Sequence, residues 1–212
     1  MIGEDLILKY FPDLTERQQA QFGQMGALYA DWNSKINVIS RKDIDNLYTN
    51  HVLHSLTIAR FLGPLAPGTA IMDLGTGGGF PGIPLAVFYP HVSFHLIDRI
   101  GKKIKVAADI AEHLGLQNVT FQHGDAGECH ATYDYVVSRA VMQLDKLVKL
   151  VRPNITHRPV PGNRYEPGLI CLKGGDLEEE AASVRLPVIE FSVNEFFGEA
   201  FFDTKKLVYV PM

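Results

Sequence analysis

The chain has 212 residues, 46% hydrophobic and 21% charged, and its 20 basic against 24 acidic residues leave a formal charge of −4. A mean hydropathy of +0.02 excludes a disordered chain, and no apolar run approaches the ~20 residues that span a bilayer. Cys129 and Cys171 are too few and too isolated for a disulfide framework or a zinc site, which favours a reducing compartment.

The segment from Met1 to Lys9 carries Glu4 and Asp5 and lacks the basic flank of a signal peptide, so a cytoplasmic location is expected. Between Thr15 and Trp32 the apolar residues Phe22, Met25, Leu28, Tyr29 and Trp32 fall on one helical stripe. Thr15 and Gln18 have the spacing of a capping box at its start. Residues 43–62 repeat the helical pattern with Ile44, Leu47, Tyr48, Val52, Leu56 and Ala59, and the pairs Gly63-Pro64 and Pro67-Gly68 then stop helix. Residues 1–63 are therefore expected to form a helical segment packed on a main domain of residues 64–212.

From there the pattern alternates. Strands are predicted at 70–74, 92–98, 119–123, 133–138 and 169–173, with helices at 84–89, 102–114 and 144–151 between them. Segments 188–193 and 207–210 read as a terminal strand pair. This order implies βαβ units and an α/β fold, a doubly wound, mostly parallel Rossmann-like sheet. Residues 152–167 hold four prolines with Arg158 and Arg164 and read as a long mobile loop near an active edge. Ligands of such sheets bind at the carboxyl ends of the strands, so the chemistry is expected near residues 73–82, 98, 125–128, 139 and 173.

The richest signal is Asp73-Leu74-Gly75-Thr76-Gly77-Gly78-Gly79-Phe80-Pro81-Gly82, directly after the first strand. It admits two registers. Gly77-x-Gly79-x-x-Gly82 fits the dinucleotide fingerprint, with Asp98 lying 21 residues beyond Gly77, and would make the chain an NAD-dependent oxidoreductase. Asp73-x-Gly75-x-Gly77-x-Gly79 fits instead the acidic-first loop that cradles S-adenosylmethionine. A carboxylate at Asp73 opposes a pyrophosphate but suits a sulfonium cofactor carrying an ammonium group. Gly75 follows the strand closely, whereas Pro81 and Pro84 fall where a pyrophosphate needs free N–H donors. The methyl-donor register is favoured.

The extended motif, running on through Ile83-Pro84-Leu85, resembles the cofactor loop of the ribosomal RNA small subunit methyltransferase G family, also called glucose-inhibited division protein B. Similar matches occur in the same order: Trp32-Asn33-x-x-Ile36-Asn37-Val38 with Ser40-Arg41, His51-x-x-x-Ser55, Asp98-x-x-Gly101-Lys102-Lys103, Ser138-Arg139-Ala140, and Leu172-Lys173-Gly174-Gly175. The resemblance covers roughly residues 20–210. It implies methyl transfer from S-adenosylmethionine to N7 of a guanine in the decoding-region loop of 16S rRNA, within the small subunit or an assembly intermediate. Two departures are visible: the family commonly reads Arg-Ala-Glu after the third strand, whereas here Asp125-Ala126-Gly127-Glu128 displaces the acidic side chain by one position, and the stretch 152–167 is longer than usual.

Residue by residue, Asp73, Gly75, Gly77, Gly79, Phe80, Asp98, Ala126, Gly127 and Arg139 are the expected cofactor residues. Asp98 accepts both ribose hydroxyls or, blandly, caps the next helix. Arg139 positions the base by donating to guanine O6 or a phosphate, or pairs structurally with Asp134 or Asp145. Lys173 is placed for phosphate or base contact, or is an ordinary surface lysine. Lys102, Lys103 and Lys105 read as a solvated face ahead of rRNA contact, and Trp32 as helix-end packing ahead of base stacking. His51 and His54 share a helical face but have no further ligands for a metal; the resemblance makes His51 and Ser55 a buttress between the helical segment and the glycine loop. Guanine N7 carries no proton, so no general base is expected. The acidic total weighs against an RNA partner unless a local patch grips it, for which Arg41, Lys42, Arg139, Arg158, Arg164 and Lys173 are the candidates. A non-catalytic ribosome-assembly factor is the third reading.

Overall fold

Two helices begin the chain in the computed structural model, which describes residues 3–40, 43–139, 142–158 and 160–212. Helix α1 (Gly3–Tyr10) is short and buries Ile7; α2 (Glu16–Lys35) buries Phe22, Met25 and Tyr29, the stripe its periodicity marks. Thr15 caps α2: its Oγ1 accepts from the Gln18 N–H at 3.3 Å, and Gln18 Oε1 accepts from the Thr15 N–H at 3.0 Å. The same Gln18 donates through Nε2 to the carbonyls of Val87 and Phe88, at 3.1 and 2.9 Å, joining the start of α2 to the end of a later helix.

The second helical stretch departs from a single α-helix. A 3₁₀ turn at Ile44–Asn46 leads into a π-helical turn at Tyr48–Leu53, and only then into α3 (His54–Leu62). Gly63, at φ 68°, ends it with a conformation that side chains disfavour.

The strands are β1 (Ala70–Leu74), β2 (Ser93–Asp98), β3 (Val119–His123), β4 (Tyr135–Arg139), β5 (Gly168–Gly174), β6 (Ile189–Ser192) and β7 (Lys205–Pro211). Between them run α4 (Gly82–Phe88), α5 (Gly101–His113), α6 (Leu144–Val151) and α7 (Glu178–Ala182). The sheet order is β3-β2-β1-β4-β5-β7-β6, with β1 to β5 parallel and β7 antiparallel to both of its neighbours. The order reverses between β1 and β4, which opens a crevice at their carboxyl ends.

Alternate residues of β1 face opposite cores: Ile71 joins the cluster with Phe22, Leu56 and Phe94, and Met72 joins Val136, Leu147 and Leu169. Helices α1 to α3 thus bury their apolar faces in the same core as the sheet residues Ile71, Phe94 and Leu96. Two short helices escape the pattern reading, because α1 spans only two turns and α7 lies in the acidic run that starts at Glu178.

One expectation is corrected. The stretch 152–167 does not border the active edge but lies at the amino ends of the strands. Asn163 accepts from the Ala66 N–H at 2.8 Å and donates to Thr69 Oγ1 at 3.0 Å, both just before β1, and Tyr135 Oη donates to the Tyr165 carbonyl at 2.6 Å. The cause is topological: α6 runs back against the strand direction, so the stretch after α6 has to return the chain to the start of β5.

The double duty of Gln18 sets an expectation for stability. Thr15→Ala is expected to cost ~1 kcal/mol, the value of an N-cap. Gln18→Ala is expected to cost about 2 kcal/mol, because it also strips a donor from two carbonyls at the end of α4. Urea unfolding measures both, and equal losses would contradict the linkage.

Candidate active site

Where β1 ends, the backbone turns sharply. Gly75 and Gly77 adopt φ of 71° and 59°, and the N–H groups of Gly75 and Thr76 donate to the Ile97 carbonyl at 2.9 and 3.1 Å. The next N–H, that of Gly77, donates to Asp98 Oδ2 at 2.8 Å, while Asp98 Oδ1 accepts from the Ile100 N–H at 2.8 Å. Each carboxylate oxygen therefore has one backbone donor fixing its direction and a further lone pair to offer.

Asp73 sits differently from the expectation of a cofactor-facing carboxylate. It is fully buried, and its Oδ2 accepts from Thr76 Oγ1 at 2.6 Å and from the Gly82 N–H at 2.8 Å. Its Oδ1 is buried and has no partner among the described residues. Asp73 thus ties both ends of the glycine loop together. A Cβ at position 82 would lie 2.7 Å from Asp73 Oδ2 and 2.8 Å from Leu96, so the knot requires glycine there. The back of the loop faces the helical segment, with Tyr29 Oη donating to the Gly78 carbonyl at 2.8 Å. A Cβ at position 78 would come within 2.1 Å of Val38.

In front of the loop lies a cavity of about 470 Å³, lined among others by Gly75, Asp98, Ile100, Ala126, Arg139 and Met142. Four of the expected residues, Gly75, Asp98, Ala126 and Arg139, meet there. Asp73, Gly77, Gly79, Phe80 and Gly127 are not among the residues that line it. The Gly127 N–H donates to Asp125 Oδ1 at 2.9 Å, and Asp125 also pairs with Arg99. Asp125 is thereby occupied in holding the 125–128 turn. Its carboxyl is held below the usual range, by the Gly127 bond first and by Arg99 in addition.

Arg139 is half-buried at the end of β4. It pairs with neither Asp134, which accepts from the Ala70 N–H, nor Asp145, which takes Lys149. Instead Nη2 lies 3.1 Å from His51 Nδ1, Nη1 donates to the Asn50 carbonyl at 3.4 Å, and the guanidinium lies over the Phe80 ring at 5.3 Å. Burial, reinforced by the Arg139 charge, holds His51 down to about 4, so its ring is neutral near pH 7.

Lys173 does not reach the cavity. Its ammonium bonds Glu180 at 2.5 Å and the Met142 carbonyl at 3.0 Å, and Glu180 also accepts from the Leu144 N–H at the start of α6. It supports the cavity through Met142. Trp32 donates to Asp109 Oδ2 at 2.6 Å and is packed against α5. Arg41, Lys42 and Ala140 lie outside the described residues, and Arg158 and Arg164 belong to the far end of the sheet.

Several lining residues escape the sequence reading, among them Arg99, Met142, Lys103 and Ile100. Lys103, expected on a solvated face, borders the cavity, and so does Ile100, an apolar side chain that is 50% exposed. The signal for Ile100 is its position two residues after the strand-end aspartate.

Burial pushes Asp73 up to about 7 from an ordinary 3.8, against the pull of the Thr76 and Gly82 bonds. Between these values the fold keeps a proton that the unfolded chain has released, so Asp73 subtracts stability as the pH rises through that window. Asp73→Asn keeps an acceptor for Thr76 and Gly82 and removes the titration. Its Tm relative to wild type is expected to climb between about pH 4 and about pH 7.5; a difference that stays flat with pH would refute the assignment.

Comparison with known proteins agrees with this architecture. Residues 18–183 match the family model described as rRNA small subunit methyltransferase G. A ribosomal RNA small subunit methyltransferase G of Bacteroides fragilis is 58% identical over 210 residues, spanning 99% of this chain and 92% of that protein. That of Porphyromonas gingivalis is 54% identical over 99% of this chain and 94% of its own length. Among solved structures, magnesium protoporphyrin IX methyltransferase from Synechocystis, with bound S-adenosylmethionine, superposes with a TM-score of 0.60 at 15% identity, covering 100% of this chain and 98% of that one. This likeness is one of fold. With its sheet order, its knotted glycine loop and its near full-length relatives, the chain belongs to the rRNA small subunit methyltransferase G family.

Proposed function

We propose that this protein transfers a methyl group from S-adenosylmethionine to N7 of a guanine in the decoding-region loop of 16S rRNA. The observation that carries the reading is the meeting of a fixed, strand-end carboxylate, Asp98, with a cationic arm, Arg139, across one cavity at the switch point of the sheet.

The residues present fit the cofactor. The cavity volume lies in the range of small-molecule sites. Asp98 offers its remaining lone pairs to two ribose hydroxyls, and the exposed face of Ile100 offers apolar contact to an adenine. The dinucleotide register fares worse. A pyrophosphate would need the N–H groups at the start of α4, and that of Gly82 is already bonded to a carboxylate.

Bound S-adenosylmethionine supplies an electrophilic methyl group on a sulfonium. Guanine N7 carries a lone pair and no proton, so this chain has to hold and align the base and exclude water, without removing a proton. Arg139 has five N–H donors and uses two on Asn50 and His51, which leaves three for guanine O6 or a neighbouring phosphate. Reaching N7 requires a base displayed in a loop or swung out of its stack. The described residues of the helical segment act in this scheme by backing the glycine loop through Tyr29 and by holding Arg139 through Asn50 and His51, and not as a separate module. Of the cations expected to grip RNA, Arg139 is the one that lines the cavity among the described residues, and Arg99 and Lys103, outside that set, join it there. Contact with free RNA is therefore weak and salt-sensitive, and an assembled particle in the cytoplasm is the substrate.

Asp98→Ala is expected to weaken S-adenosylhomocysteine binding by about 10- to 100-fold, the worth of one or two charge-assisted bonds. Arg139→Ala should leave that affinity nearly intact and lower turnover on small subunits by on the order of 100-fold. Calorimetry with a methyl-transfer assay separates the two. Equal losses of affinity and turnover in Arg139→Ala would make it a cofactor ligand instead.

A further inference from the structure

The arm that faces the target base is held by the helical segment. Arg139 leaves the end of β4 and reaches the π-helical turn Tyr48–Leu53, where His51 Nδ1 lies 3.1 Å from Nη2. An arginine has donors only, so Nδ1 of His51 is the acceptor and the proton of its neutral ring sits on Nε2. That Nε2 is buried and bonded to none of the described residues. The ring has no other described hydrogen-bonding task, and its one polar contact goes to Arg139.

Three separate elements converge here. The His51 ring and the Arg139 guanidinium both pack on Phe80 of the glycine loop, at 5.2 and 5.3 Å from its centroid. The turn that carries His51 is braced on both sides. Asn50 Nδ2 donates to Asp43 Oδ1 at 3.0 Å, and Ser55 Oγ donates to the His51 carbonyl at 2.6 Å. A π-turn is rarer and less well bonded than an α-turn and recurs at functional sites. Here it presents the Asn50 carbonyl and the His51 ring to the same guanidinium.

We propose that His51 is a positioning residue for the methyl transfer: as the Nε2–H tautomer it accepts a hydrogen bond from Arg139 and fixes the direction in which the guanidinium meets the RNA. The catalytic part of this claim rests on the functional reading above, whereas the bond itself does not. Phe80 sets the distance of the guanidinium from the loop, and His51 sets its rotation.

Two substitutions and one spectrum test it. His51→Phe keeps a ring against Phe80 and removes the acceptor; His51→Gln restores an acceptor. His51→Phe should lower kcat on small subunits by about 10- to 100-fold, as small misplacements of an aligning group do, with the Kd for S-adenosylhomocysteine unchanged. His51→Gln should recover a large part of that loss. In nitrogen-15 NMR of the wild-type protein, His51 should show the Nε2–H tautomer, and the Arg139 guanidinium resonances should move in His51→Phe. Wild-type turnover in His51→Phe, a His51→Gln as slow as His51→Phe, or an Nδ1–H tautomer in the wild type would each overturn the proposal. The tautomer needs no variant to fold and no substrate. If the wild type transfers no methyl group to small subunits, the functional reading fails while the spectrum still decides the bond.

Discussion

Everything at the carboxyl end of this sheet depends on one buried carboxylate. Asp73 is buried one residue before the end of β1, and its Oδ2 gathers Thr76 from the start of the glycine loop and Gly82 from its end. A fully buried acid is costly in charged form, which is why burial raises it to about 7. The return on that cost is a closed loop whose next N–H, from Gly77, is aimed at Asp98. The cavity and the direction of its carboxylate follow from the knot.

The knot also explains why the helical segment cannot be regarded as an accessory. The glycine at position 78 brings the loop against Val38, and Tyr29 bonds its carbonyl. The π-turn then reaches over the same loop to hold Arg139. The described residues of the helical segment thus back the glycine loop and Arg139 from behind, and they share one hydrophobic core with the sheet. Lys173 and Glu180 serve the opposite flank by fixing Met142 and the start of α6.

Much of this is legible in the sequence, and the failures have physical causes. Strands β1 and β3 and helix α6 match the sequence reading residue for residue, because short apolar runs between turn residues leave no rival period. Asp98 is legible because a strand-end acid beyond a glycine loop has few other uses. The function of Asp73 is not, since a carboxylate at a strand end can face a ligand or the core, and the choice depends on Gly82, nine residues later. Lys173 misleads for a related reason: its partner Glu180 comes from an acidic run that looks merely solvated. The side of the sheet on which Arg158 and Arg164 fall is set by the return direction of α6, which no local pattern encodes. The hold of His51 on Arg139 joins residues 88 apart and depends on a π-turn that the helical period hides.

The acidic total of −4 by itself weighs against an RNA substrate, and the structure narrows its meaning. Acidic residues such as Asp73, Asp125 and Glu180 are committed to internal bonds, and the cavity keeps Arg139 and Lys103 at its edge. The most direct test of the account is to map base methylation along 16S rRNA from cells with and without this protein. The account predicts that one N7-methylguanine in the decoding-region loop disappears from the deleted strain and returns with the wild-type chain but not with Asp98→Ala. Identical methylation in the two strains, or loss of a mark at another atom or base, would contradict it.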